Sequence, residues 1–210
     1  MLAVDALALS AHIHKEVTEA RKEQQSWQAD RENKAVLDWV ATADYSSQQS
    51  DFIRRRQAGT GQWLLDSIEY QQWTETAEQT LFCPGIPGAG KTILTSIVVD
   101  DLYARFRDDV HVGIAYLYCN FRRHADQKVE DILSSLIRQL PQDQSLLPKC
   151  LRDLYDKHRG RTRPSFDELS RALRAVANLF SRVFIVVDAL NECQLSDGSR
   201  SKLLGEIFAL

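Results

Sequence analysis

Gly85-Ile86-Pro87-Gly88-Ala89-Gly90-Lys91-Thr92 fits the pattern G-x-x-x-x-G-K-[ST], and every fixed position in it has a physical task. The glycines let the backbone turn with its N–H groups pointing inward, and the N-terminus of the helix that starts at Lys91 adds its own donors, so the segment predicts an anion cradle. Lys91 is expected to reach the β- and γ-phosphates of a nucleotide and the Thr92 hydroxyl to ligate Mg²⁺. The cradle as a whole takes in Gly85, Ile86, Pro87, Gly88, Ala89, Gly90, Lys91 and Thr92. A chance match is expected roughly once in a hundred chains of this length. Its surroundings fit as well. A brief apolar strand, Leu81 to Cys83, precedes the loop, and Leu94, Val98, Leu102 and Phe106 recur every fourth residue after it.

Far along the chain, Val183-Phe184-Ile185-Val186-Val187 is a continuous β-branched and aromatic run that ends in Asp188. In a parallel sheet the C-terminal strand ends share one edge, where ligands bind. Asp188 is therefore placed to hold Mg²⁺ together with Thr92. Taken alone, an Asp at a strand end is the ordinary start of a turn; the glycine loop gives it meaning. Glu192, four residues on, is a candidate catalytic carboxylate that orients or deprotonates an attacking water, against the plainer reading of a surface turn residue.

Between these two segments lie a second strand, Val112 to Cys119, and helices marked by Val129 to Leu140, by Leu147, Leu151 and Leu154, and by Phe166 to Phe180. Pro141 stops the first helix, and Ser165 with Glu168 at capping-box spacing starts the last. Strands separated by helices call for crossover connections and a parallel sheet. The expected fold class is α/β: a three-layer α/β/α core around an incomplete parallel sheet of about three strands, preceded by N-terminal helices. Residues 1–43, rich in Ala, Glu, Lys, Gln and Leu without Gly or Pro, read as one long helix or two. Its apolar stripe is weak until Val36, Trp39, Val40 and Ala43, and the helix needs the following domain or another molecule to pack on. Tyr45 to Asp51 reads as a polar connection. The expected division is a helical segment with its linker, 1–50, and a nucleotide-binding domain, 51–210.

The 210 residues are 44% hydrophobic and 26% charged, enough for one substantial core. A net charge of −3, with Arg54-Arg55-Arg56 and Arg122-Arg123-His124 as isolated short clusters, gives no footprint for nucleic acid. Cys83, Cys119, Cys150 and Cys193 lack C-x-x-C spacing and read as reduced thiols of a cytoplasmic protein. No signal peptide and no membrane span are read. His12, His14, His111, His124 and His158 have no partner at ligand spacing, so no metal other than Mg²⁺ is assigned. Arg56, Gly59, Thr60 and Gly61 either wrap the adenine and ribose or form a structural turn.

Taken together, Gly59-Thr60-Gly61-Gln62-Trp63-Leu64-Leu65, Cys83-Pro84 with the glycine loop, Cys119-Asn120-Phe121 and Asp188-Ala189-Leu190-Asn191-Glu192-Cys193 resemble the NACHT NTPase domain. More narrowly, they resemble the nephrocystin-type version found in fungal NOD-like proteins with ankyrin or WD repeats. The likeness covers about residues 36–193. It implies a STAND-class signalling ATPase that binds ATP, with GTP as an alternative, and Mg²⁺. It further implies that nucleotide exchange or slow hydrolysis drives self-association or engagement of protein partners. Asn191 departs from the family, which usually carries an acidic residue there. The family also continues beyond the Asp188 strand with a sensor strand lying between it and the loop strand, so the resemblance implies a truncated chain with impaired turnover. Two other functions stay open: a non-catalytic interaction protein using its N-terminal helix and exposed sheet, and a small-molecule kinase.

Overall fold

A computed structural model of the chain describes residues 2–41, 43–119, 128–142, 147–190 and 197–210, with side chains from Lys15 onward, Asp197 excepted. Nine helices and two strands are found among them. The strands β1 (Val112–Tyr118) and β2 (Arg182–Asp188) run parallel, with Val112 opposite Arg182 and Tyr118 opposite Asp188. Parallel pairing requires a long crossover, supplied here by α6 (Val129–Gln139), α7 (Lys149–His158) and α8 (Phe166–Ala177). α5 (Lys91–Arg105) leads into β1 and packs against both strands.

The expected three-layer core with about three strands is not what forms. The chain is mostly helical, and β1 with β2 is the whole sheet among the described residues. Leu81 to Cys83, expected as a strand, is irregular, and Phe82 is 81% exposed. The reason is physical: a three-residue strand is held only by a neighbour's backbone, and no described strand lies beside it. β1's outer edge is managed differently. The Tyr116 N–H donates to Gln139 Oε1 (3.0 Å) and Gln139 Nε2 donates to the Tyr116 carbonyl (2.9 Å), so one side-chain amide from α6 does the work of a further strand at that point.

Two apolar clusters hold the elements together. Ile114 and Phe184 pack with Leu64, Tyr70, Val98 and Leu102, drawing in α3 (Gln62–Leu65), α4 (Ile68–Glu75) and α5. Ala115 and Leu117 pack with Leu133, Leu136, Ile137, Leu169 and Leu173 from α6 and α8. The aromatic residues of 63–73 divide between the core and the surface. Tyr70 is fully buried and the Trp73 ring meets Phe184 edge-on at 5.1 Å, but Trp63 and Ile68 face outward.

The N-terminal helix is a single element, α1 (Leu2–Val40). Its last turns are tied to the body: Val36 and Val40 are buried, Trp39 meets Tyr155 edge-on at 5.3 Å, and Asp38 pairs with Arg138 at 3.0 Å. Residues 45–51 are not the polar connection that their composition predicts. Tyr45 caps and Ser46 to Asp51 open α2 (Ser46–Arg54), which lies on α5, with Gln49 Nε2 donating to the Ser96 carbonyl at 2.9 Å and Phe52 packing on Tyr118. α9 (Asp197–Ile207) closes on α6 and α8 through buried Leu203 and a Glu206–Arg174 pair at 2.8 Å.

Candidate functional site

The glycine loop leaves irregular backbone and enters α5 at Gly90. Gly88 and Gly90 both stand at φ 81°, in the left-handed region that residues with a Cβ avoid, and an added Cβ at either would meet open space. Backbone conformation, not crowding, is therefore what calls for glycine there. Gly90 caps α5 without any side-chain hydrogen bond, so the first-turn N–H groups have no capping oxygen. The Ala89 N–H closes the turn on the Ile86 carbonyl at 3.2 Å. Residues 82–90 are exposed along their whole length.

Lys91 folds back over this loop. Its Nζ donates to the carbonyls of Gly85 (2.8 Å) and Ile86 (2.9 Å), so the positive charge is held inside the loop's curve. A Cβ at Gly85 would lie 3.5 Å from Lys91 Cδ, an ordinary contact, so this side chain does not itself call for glycine there.

Asp188, last residue of β2, is only 6% exposed. The Thr92 hydroxyl donates to its Oδ2 at 2.7 Å, and the Thr95 hydroxyl reaches its Oδ1 at 3.4 Å. Residues read as partners across 96 positions of sequence are in direct contact. No ion pair to Asp188 is found among the described residues. The Asp188 carboxylate and the Thr92 hydroxyl are hard oxygen atoms of the kind that could hold Mg²⁺, with the Thr95 hydroxyl beside them. Ala189, at φ 54°, turns the chain sharply away directly after the carboxylate.

Thr95 carries no motif signal of its own in the sequence. It lies one turn after Thr92 on the same face of α5, and the three-residue spacing is the signal that identifies it. Glu192 and Asn191 lie outside the described residues, as do Asn120, Phe121, Arg122, Arg123, His124 and Cys193. Of the upstream candidates, Gly61 has a packing role. At φ 82° it abuts α5, and an added Cβ would stand 2.6 Å from Ile97 Cδ1. Arg56 Nε donates to the Thr60 carbonyl at 3.1 Å within the same turn. Among the described residues there is no cluster of His, Cys, Asp and Glu fit to hold a metal, and no helix long and apolar enough to cross a membrane. Among the described residues, Cys83, Cys119 and Cys150 form no disulfide.

The chain is 25% identical over 142 residues to the vegetative incompatibility protein HET-E-1 of Podospora anserina, an alignment covering 62% of this chain and 10% of that protein. It thus spans about a tenth of that relative's length. No solved structure matches the chain. Residues 59–209, taking in the glycine loop, Thr92, Thr95 and Asp188, match the family described as Nephrocystin 3, N-terminal, and the chain belongs to that family.

Proposed function

We propose that the chain binds a nucleoside triphosphate with Mg²⁺, ATP in the first place and GTP as the alternative, and works as a signalling switch of the NACHT type. The observation that carries this reading is the contact between Thr92 and the buried Asp188 beside a glycine-capped helix. The bound ion would neutralise phosphate charge. Thr92 and Asp188 are the residues to hold it, with the Thr95 hydroxyl fixing the carboxylate's orientation. Lys91 would turn its charge from the Gly85 and Ile86 carbonyls to the β- and γ-phosphates, and backbone N–H groups of the loop and of the first turn of α5 would cradle them. Glu192 is assigned the water-orienting role, and hydrolysis, where it occurs, is slow. The nucleotide site is assigned to residues 51–210 and partner contact to residues 1–50, in a protein acting in the cytoplasm. The HET-E-1 likeness supports a signalling role.

A second reading, an interaction protein without turnover, is favoured by the exposure of every side chain from Lys15 to Gln28. Titration of the chain with a fluorescent ATP analogue in Mg²⁺, beside Lys91→Ala and with GTP as competitor, separates the two. Saturable binding lost in the variant supports the switch. Equal or absent binding in both proteins favours the interaction reading.

A further inference from the structure

Asp188 presents its two carboxylate oxygens to two different hydroxyls of α5. Thr92 donates to Oδ2 at 2.7 Å, and Thr95 reaches Oδ1 at 3.4 Å. The two threonines lie three residues apart on one face of the helix, and both are half-buried. Neighbouring hydroxyls are engaged elsewhere. Ser96 Oγ donates back to the Ile93 carbonyl at 2.8 Å. Tyr118 stands opposite Asp188 in the sheet, but its hydroxyl donates to Gln49. Among the described residues no other side chain donates to the Asp188 carboxylate.

The two oxygens are therefore not equivalent. A cation drawn to the Thr92 oxygen meets Oδ2, the oxygen beside it, while Oδ1 stays committed to Thr95 on the other side of the carboxylate. At 3.4 Å the Thr95 bond is long, and its effect is to engage Oδ1 more than to neutralise its charge. Asp188 then offers a metal one oxygen. Mg²⁺ is small, holds to octahedral geometry and needs no more than one oxygen from a carboxylate. Ca²⁺ is larger, takes more oxygen ligands, and gains from a carboxylate that binds through both of its oxygens.

We propose that Thr95 is a selectivity residue, which by holding Oδ1 keeps Asp188 a one-oxygen ligand and sets the site for Mg²⁺ against Ca²⁺. The inference rests on the nucleotide reading above and names the metal specificity of that same site. Thr95 acts through Asp188, so it is a positioning residue. Thr95→Val keeps the branched shape and removes the donor, whereas Thr95→Ser keeps the donor.

The test is binding of a fluorescent ATP analogue to the 210-residue chain and to both variants, at fixed analogue concentration, as Mg²⁺ or Ca²⁺ is raised. Melting temperatures in a chelator show that each variant is folded. The quantity read is the half-saturating Ca²⁺ concentration divided by that of Mg²⁺. The analogue's own affinity for each metal is the same in every titration and cancels between variants. In Thr95→Val the ratio should fall about tenfold, since Oδ1 becomes available to the larger ion. In Thr95→Ser it should stay at the value of the unaltered chain. A threonine needed only for packing would weaken binding with both metals alike and leave the ratio unmoved, which overturns the proposal. So does a ratio that falls as far in Thr95→Ser as in Thr95→Val, or an unaltered chain that binds the analogue without preferring Mg²⁺. A folded, unaltered chain that binds no analogue with either metal overturns the nucleotide reading itself, and the selectivity role with it.

Discussion

The Thr92 hydroxyl donates a 2.7 Å hydrogen bond to the carboxylate of Asp188, joining the first turn of α5 to the end of β2. The same contact separates stability from function. A buried carboxylate bonded to two neutral hydroxyls costs desolvation that those bonds only partly offset. Asp188→Asn keeps the shape and an acceptor for Thr92 while removing the charge. It is expected to leave the melting temperature without Mg²⁺ unchanged or raised, and to abolish the rise that Mg²⁺ with ATP gives the unaltered chain. Differential scanning fluorimetry with and without both additions reads the two effects. A variant that melts well below the unaltered chain in the absence of both would make Asp188 a structural residue.

Gly61 and Gly59 form a natural pair for testing crowding against backbone conformation. Both stand in the left-handed region, at φ 82° and 79°, but a Cβ on Gly61 would press on the buried Ile97 whereas one on Gly59 would meet nothing within 4 Å. Gly59→Ala should cost about 1 kcal/mol, the conformational part alone. Gly61→Ala should cost about 2–4 kcal/mol, since overpacking a close contact adds its own penalty. Urea unfolding of the two variants gives the comparison, and equal losses would show that Ile97 yields freely.

Gln139 is the partner of β1's outer edge, and the cost of losing it follows from what it satisfies. Gln139→Leu leaves the Tyr116 N–H and carbonyl without their amide partner. Two unsatisfied backbone groups predict a loss of about 2–4 kcal/mol, against about half that for Gln139→Glu, which still accepts from the N–H. Hydrogen exchange at Tyr116 provides a local check: protection should fall there before it falls at Leu117.

What the sequence shows of this protein depends on how local each signal is. Ser165 and Glu168 are three residues apart, and the helix start they predict is there, with Glu168 reaching back to the Ser165 N–H at 2.8 Å. β1 and β2 are legible because each carries an unbroken apolar run, β1 buried from Gly113 onward and β2 mostly half-buried around Phe184. The apolar run Leu81 to Cys83 suggests a strand, but a strand is completed by a neighbour that its own residues do not reveal. Residues 45–51 differ from their expectation for the opposite reason. Ser, Gln and Asp suggest a loop, but Gln49 is spent on the Ser96 carbonyl and the Tyr118 hydroxyl, a partnership 47 to 69 residues away. At the site, motif spacing points to Thr92 and Asp188, and the structure brings them into contact; Thr95 becomes visible only when the carboxylate it bonds is in place.

Glu168 carries the acid dependence of the α7–α8 junction. Hydrogen bonds from Lys157 and from the Ser165 N–H and hydroxyl hold its carboxyl well below the ordinary carboxylate range. Lys157 is 64% exposed, so its charge is screened and contributes little, and the capping bonds to Ser165 are the larger part. A depressed carboxyl adds stability that is fully present above its unfolded value, about pH 4.3, and is lost as pH falls through the folded value. Glu168→Gln should therefore be less stable than the unaltered chain at pH 7 by about 1 kcal/mol, a fall of roughly 2–4 °C in melting temperature. The gap should hold down to about pH 5 and narrow steadily below about pH 4. Circular dichroism melts between about pH 2 and 7 measure it, and a gap that stays constant across that range would mean the carboxylate charge has no part in the junction.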